Sequence, residues 1–320
     1  MKKFLQKVCL LVLPLLALMY PLDKLLSAGL KRVHGEGGGD IGELEVMRDI
    51  YDGKINSDIV VYGSSRAWIQ INSSILEDSL KKQVYNLGID GHNFHLQYMR
   101  HRELLKHNRK PQMIVLSVDI FSLQRRADLY EYSQFMPYML WNENMYNFTS
   151  TYQGFNKTDY FIPLMRYAGK TEVLDLIVRN ITHDIPDYRT KGFRGMHADW
   201  NDDFDNAKKT GVKYTIHYDT ASIRLFEQFI RECKEDNIQL VTIYAPEYIE
   251  GQQFIAGRAD LFNLYRRFFE KYHIPFLDFT NDELCFDKKY FYNSMHLNYI
   301  GADLFSSKLA HRLKALQTDN

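Results

Sequence analysis

The sequence predicts an α/β fold. A mostly parallel sheet lies between helices in a three-layer sandwich, preceded by an N-terminal membrane helix and interrupted by a long insertion. Three observations carry this reading. Short runs of β-branched and aromatic residues alternate with helical periodicities, the pattern of a parallel sheet. The first run, residues 59–62, stops at the small-residue turn Gly63-Ser64-Ser65, at the strand end where open parallel sheets place their ligands. Before all this, Met1-Lys2-Lys3 leads into an apolar stretch with no polar face.

Residues 1–33 read as an uncleaved signal-anchor: a basic start and an apolar run at 8–22, with no Ala-x-Ala cleavage pattern. The run is short for a span and reaches full length by extending toward Leu30, with Lys24 snorkelling and Asp23 near the interface. The rest of the chain is then extracytoplasmic, periplasmic or extracellular. The alternative is a cleaved signal peptide and a soluble enzyme. Residues 34–40, His-Gly-Glu-Gly-Gly-Gly-Asp, read as a flexible tether within a 34–57 lead-in.

The α/β domain proper spans 58–320. Strands are expected at 59–62, 84–87, 113–118, 239–244 and 275–279, each a short apolar run bounded by turn residues. Helical periodicity marks 71–80, 94–107, 220–236, 259–272 and 299–316. The interval 123–217 breaks the alternation. It is rich in Tyr, Phe, Trp, Asn and Asp, with one helical piece near 172–179, and reads as an insertion that covers the crevice or meets a partner.

Composition bounds the function. Forty basic residues balance forty acidic ones, so the chain lacks the basic excess of a nucleic-acid binder. Neither Gly-x-Gly-x-x-Gly nor a P-loop follows the first strand, which argues against a nucleotide site. No cofactor or metal is expected; His92 and His95 read as polar residues flanking a helix start. Of the three cysteines, Cys9 lies in the apolar run, Cys233 on the apolar face of a helix and Cys285 in a loop, and no disulfide is expected between the last two.

Ser65 is the candidate nucleophile, because its hydroxyl stands at the mouth of the crevice beside a helix start. The structural alternative is a turn serine that caps the helix. His296 is the candidate base. It lies in the polar stretch Asn293-Ser294-Met295-His296-Leu297-Asn298, on a loop before the last helix. An imidazole there would take the Ser65 proton and return it to a leaving group.

These residues fall in three blocks that resemble the SGNH (GDSL-type) hydrolase and acyltransferase superfamily. Gly63-Ser64-Ser65 looks like its Gly-Asp-Ser block. Asn86-Leu87-Gly88-Ile89-Asp90-Gly91 looks like the second block. Asn293 to Gly301 looks like Asp-x-x-His-Leu-Asn-x-x-Gly. The resemblance implies a flavodoxin-like sheet order, Ser65 as nucleophile, His296 as base and an oxyanion hole from the N–H groups of Gly91 and of Ser65 or Arg66. Two departures stand out. Asn293 replaces the acid, leaving a Ser-His dyad or another carboxylate, with Asp90, Asp119 and Asp282 as candidates. The block normally Gly-x-Asn-Asp reads Ser117-Val118-Asp119-Ile120, so Asp119 must turn away from an oxyanion or be protonated. Arg66 would add positive charge or sit in a surface salt bridge.

Within the superfamily the chain looks like membrane-anchored extracytoplasmic members, similar to the teichoic-acid D-alanylation protein D and the alginate O-acetylation proteins. That implies acyl transfer to or from a cell-envelope polysaccharide or an acylated small molecule. It also implies a membrane-bound O-acyltransferase as partner. The alternative is a non-catalytic module of the same fold that binds polysaccharide or scaffolds an envelope complex.

Overall fold

The structure is a computed structural model that describes residues 1–34, 39–91, 94–180 and 188–318. The chain divides into two compact units. One comprises Met1–Arg48 and Ala127–Tyr188, the other Asp49–Arg126 and Arg189–Asn320.

The second unit is built on five strands: β1 (Ile59–Tyr62), β2 (Val84–Asn86), β3 (Met113–Ser117), β4 (Gln239–Tyr244) and β5 (Phe276–Asp278). Their spatial order is β2-β1-β3-β4-β5 and every neighbouring pair is parallel. This is the flavodoxin-like order, whose direction of winding reverses between β1 and β3 and opens a crevice at the strand carboxyl ends. All residues of β1 and β3 are buried, as expected of strands covered on both faces. On one face the helix Thr220–Glu235, capped by Asp219 accepting from the Ser222 N–H at 2.8 Å, buries Phe226 and Phe229. The Phe94 ring, from the helix Phe94–His107, meets both edge to face. On another, the last helix Tyr299–Thr318 packs on the helix Ser73–Leu80 and contributes Ala302, Phe305, Leu309 and Leu313 to the core.

The strands and long helices lie where the periodicity puts them, within a residue or two at each end. Several short elements escaped it, two of them at the sheet edge that matters here. A single helical turn, Ser65–Trp68, follows β1 directly, and residues 291–297 form a small antiparallel ribbon, Phe291–Asn293 with His296–Leu297, so His296 sits on a strand rather than a loop. Both are too short to leave a period in the sequence.

Two further readings change. Gly39 and Asp40, taken as part of a tether, begin the helix Gly39–Tyr51, whose Ile41, Leu44, Met47 and Ile50 are buried; residues 35–38 lie outside the described residues. The insertion at 123–217 is not one piece. Residues 127–188 belong to the first unit and 189–217 to the second.

In the first unit the helix Lys2–Lys31 is followed on the chain's return by the helix Thr171–Asn180. The two meet at Gly29, where an added Cβ would stand 2.7 Å from Ile177. Cys233 and Cys285 are buried free thiols.

The turn after β1 has a strict requirement. Gly63 has φ +146°, and a Cβ there would lie 2.7 Å from the Ser117 carbonyl oxygen. Backbone strain and a backbone clash add. Gly63→Ala is therefore expected to destabilise the fold by about 2–5 kcal/mol, read as a lower urea midpoint with unchanged slope.

Candidate active site

Two short segments from opposite ends of the second unit meet at the carboxyl edge of the sheet. The first is the turn after β1. Ser64 is the N-cap of the helix Ser65–Trp68, its Oγ accepting from the Arg66 N–H at 3.2 Å. The capping role weighed for Ser65 thus falls to its neighbour. Ser65 is the first helical residue; its Oγ lies 2.8 Å from His296 Nε2. Its N–H, at the positive end of the turn, has no partner among the described residues.

Several contacts bring the second segment to this place. Gln70 donates to the Met295 carbonyl at 3.2 Å, and the Tyr248 N–H to the Ser294 carbonyl at 3.0 Å. A Cβ on Gly251 would come within 2.8 Å of Ser294 Cβ. The His296 ring stacks on Tyr292, and Asn298 caps the last helix by accepting from the Gly301 N–H at 3.1 Å.

The Asn293 carboxamide oxygen settles the protonation of the imidazole. It accepts from the backbone N–H groups of Met295 (3.0 Å) and His296 (2.9 Å), which fixes it as the oxygen end of the amide. It also lies 3.0 Å from His296 Nδ1, so Nδ1 must carry the proton and Nε2 presents a lone pair to the Ser65 hydroxyl. The tautomer a serine nucleophile needs is held by a neutral side chain. The cost is electrostatic. Burial, with Arg66 nearby, lowers the His296 pKa to about 3, and Asn293 supplies no charge to stabilise an imidazolium.

None of the three aspartates bonds to His296. Asp119 is buried and directed elsewhere. One oxygen takes the Ser64 hydroxyl in a short hydrogen bond; the other accepts from the Phe121 N–H at 2.8 Å and from Ser122 Oγ at 3.2 Å. It positions the residue before Ser65 and is turned away from any oxyanion. Asp282 pairs with Lys308 at 2.8 Å, and Asp90 accepts from the Gly91 N–H at 3.1 Å. In this arrangement Gly91 spends its N–H on its own neighbour, and Arg66 spends its own on Ser64. Ser65 alone of the expected oxyanion donors keeps its N–H open.

Arg66 is not a surface residue. It is 1% exposed, donates to Glu247 at 2.7 Å and to the Ala245 carbonyl at 2.5 Å, and lies over the Tyr244 ring. It ties the helical turn to the segment after β4. A buried pair of this kind is destabilised strongly by loss of one partner.

The second block acts through Asn86 and Gly88. Buried Asn86 donates to the carbonyls of Ala67 and Ile71 at 2.8 and 2.9 Å and accepts from the Gly88 N–H at 3.0 Å. A Cβ at Gly88 would lie 2.7 Å from Trp68 N and 2.9 Å from Ser64 O. The sequence names these residues only through the block; Glu247 and Gln70 carry no local signal at all.

Beside His296 opens a cavity of about 740 Å³. Its walls are mostly apolar and include Phe121, Phe204, Val212, Tyr214 and Phe254, together with Asn293 to His296. Phe204 and Val212 come from the retained half of the insertion. His92 lies outside the described residues, and His95 sits in the first turn of the helix Phe94–His107, its pKa lowered to about 4 by burial.

No protein-family model matches the chain, and no curated protein is significantly similar to it in sequence. Solved structures do resemble it. One, from Streptococcus pneumonia and described provisionally as a platelet activating factor, is 11% identical with a TM-score of 0.45, over 86% of this chain and 92% of that one. The acetyl xylan esterase AlAXEase is 13% identical with a TM-score of 0.39, over 81% and 98%. A GDSL-like lipase from Bacteroides thetaiotaomicron is 10% identical with a TM-score of 0.39, over 85% and 99%. These likenesses are too slight to carry an argument about the site. What this chain shows of itself is the parallel strand order β2-β1-β3-β4-β5, with Ser65 and His296 meeting at one edge of that sheet.

The low basicity of His296 has a direct consequence. The imidazole must be neutral to accept the Ser65 proton, and its protonation lies far below the usual 6.5. Fluorophosphonate labelling of Ser65 should hold its rate down to about pH 4, with an acid limb near 3. Asn293→Asp keeps the oxygen acceptor and adds a charge, so the limb should move up toward neutrality and the rate at pH 7 rise by at least about tenfold.

Proposed function

We propose that the chain is a serine-dependent O-acyltransferase or esterase of the SGNH type. The observation that carries this is the 2.8 Å contact between Ser65 Oγ and His296 Nε2, with the tautomer fixed from behind. A binding module has no need for a hydroxyl, a lone pair and an unpaired N–H converging at one sheet edge.

In the proposed reaction Ser65 Oγ attacks an ester carbonyl while its proton passes to His296 Nε2. The carbonyl oxygen takes the negative charge and is met by the Ser65 N–H; an Asp90 side chain that turns aside would free Gly91 as a second donor. The intermediate collapses, the ester C–O bond breaks, and the leaving alkoxide receives the proton from Nε2. Water or a sugar hydroxyl then attacks the acyl-enzyme, gives its proton to Nε2, and releases the acid or the new ester with Ser65 restored. The cavity beside His296 holds the apolar part of the acyl group.

The acceptor we favour is a cell-envelope polysaccharide, with the acyl group delivered by a membrane-bound O-acyltransferase as in the anchored proteins the sequence resembles. Support comes from the N-terminal helix, which is long and apolar enough over Val12–Lys31 to cross a membrane. Its distal half also packs within the first unit. Asp23, fully buried, accepts from Arg166 at 2.6 and 2.8 Å and from the Leu164 N–H at 2.8 Å. Ser27 bonds Tyr167 at 2.9 Å. Cleavage beyond Asp23 would leave Arg166 buried without its counter-charge, at a cost of about 3–5 kcal/mol. A cut that removes Asp23 is thus disfavoured, and we read the helix as a retained anchor with the rest of the chain extracytoplasmic.

Ser65→Ala in the full chain is expected to abolish both fluorophosphonate labelling and aryl-ester hydrolysis while leaving the thermal midpoint nearly unchanged. Undiminished hydrolysis by that variant would sink the mechanism. Against a series of aryl esters, kcat/KM should rise from acetate to longer acyl chains, by up to about fourfold per methylene fully buried.

A further inference from the structure

We infer that the first unit carries an apolar collar that seats it in the headgroup region of the bilayer around its own anchor. The inference rests on the reading of the N-terminal helix as a retained span. It starts from where that helix changes surroundings. Leu10, Leu13, Leu16, Leu18 and Leu22 are exposed; beyond them one face of the helix, with Asp23, Ser27 and Leu30, is buried while Leu25 stays exposed. The apolar run from Val8 to Leu22 rises about 22 Å at ~1.5 Å per residue, and it reaches the ~30 Å of a hydrocarbon layer only with the turns on either side of it. The buried Asp23–Arg166 pair therefore marks the level at which the helix enters the fold of the first unit, with Leu25 still exposed beside it.

The same level of the unit exposes large apolar side chains that a water-facing surface would hide. Trp141 is 58% exposed, Phe161 46%, Ile162 42% and Met165 38%. They are contiguous with each other and with the helix. The Trp141 ring stacks on Tyr20 at 5.5 Å; its Nε1 donates to the Phe161 carbonyl at 3.1 Å; and Leu164, between Ile162 and Met165, donates to Asp23. Trp141 is held outward by a left-handed backbone, φ +58°, which costs a side-chain-bearing residue strain. Lys24 lies over Tyr20 and Lys157 over Phe161. Aromatic rings with their polar atoms satisfied, bordered by lysines, are what the membrane–water interface selects. Continuity with the span is the reason to assign this patch to lipid and not to a protein partner.

The full chain in nanodiscs provides the test. Lipids brominated at shallow acyl positions should quench the part of the tryptophan emission that disappears in Trp141→Phe, and aqueous acrylamide should leave that part largely untouched. Phe161→Glu with Ile162→Glu, both at exposed positions, should lose the lipid quenching and gain acrylamide quenching with an unchanged thermal midpoint. If Trp141 in the parent is open to acrylamide and untouched by the lipid bromines, the collar faces water or waits for a protein partner, and the inference is overturned. A chain that no longer carries its N-terminal helix after expression would overturn the anchor reading as well, which separates the two failures.

Discussion

One carboxamide oxygen, that of Asn293, decides what the site can do. It gathers two backbone N–H groups and the imidazole Nδ1 within 3.0 Å, and so turns a flexible ribbon into a fixed mount for His296. Everything downstream depends on that mount: which ring nitrogen carries hydrogen, which one faces Ser65, and how easily the ring accepts a proton. A carboxylate would serve the same geometry and add charge. The amide preserves orientation and gives up electrostatic support, so the imidazole is well aimed and weakly basic.

The partner segment shows the same division of labour. Ser64 caps the helical turn and is gripped by Asp119, while Arg66 reaches back to Glu247 and the chain after β4. Three consecutive residues therefore point three ways, and only the middle one faces the crevice. Asn86 and Gly88 complete the support from the neighbouring strand, one by hydrogen bonds and the other by having no side chain where Ser64 and Trp68 come close. Packing holds Ser65 from below, gives its hydroxyl to His296 and leaves its N–H open above.

Much of this was legible in the chain. The apolar runs of β1 and β3 and the periods of the long helices mark the sheet and its covering layers, because burial on both faces imposes a continuous apolar signature. The serine and histidine could be paired from their blocks. What the sequence hides is long-range polar geometry. Nothing local announces that Asp119 bonds Ser64 fifty-five residues away, or that Arg66 is buried against Glu247. The lead-in differs from its sequence signature for another reason. A glycine run masks the apolar spacing of Ile41, Leu44, Met47 and Ile50 that makes a helix just beyond it. The insertion likewise has no internal mark at the point where its first part joins the unit of the N-terminal helix and its second lines the cavity.

The ion pair between Asp23 and Arg166 also bears on how the protein can be handled. A truncation that trims the apolar N-terminus for solubility at the usual place, beyond the last hydrophobic residues, would discard the acid and strand the guanidinium in the interior. The safe boundary lies between Leu22 and Asp23, a single peptide bond that separates the removable tail from the part of the helix that belongs to the folded body.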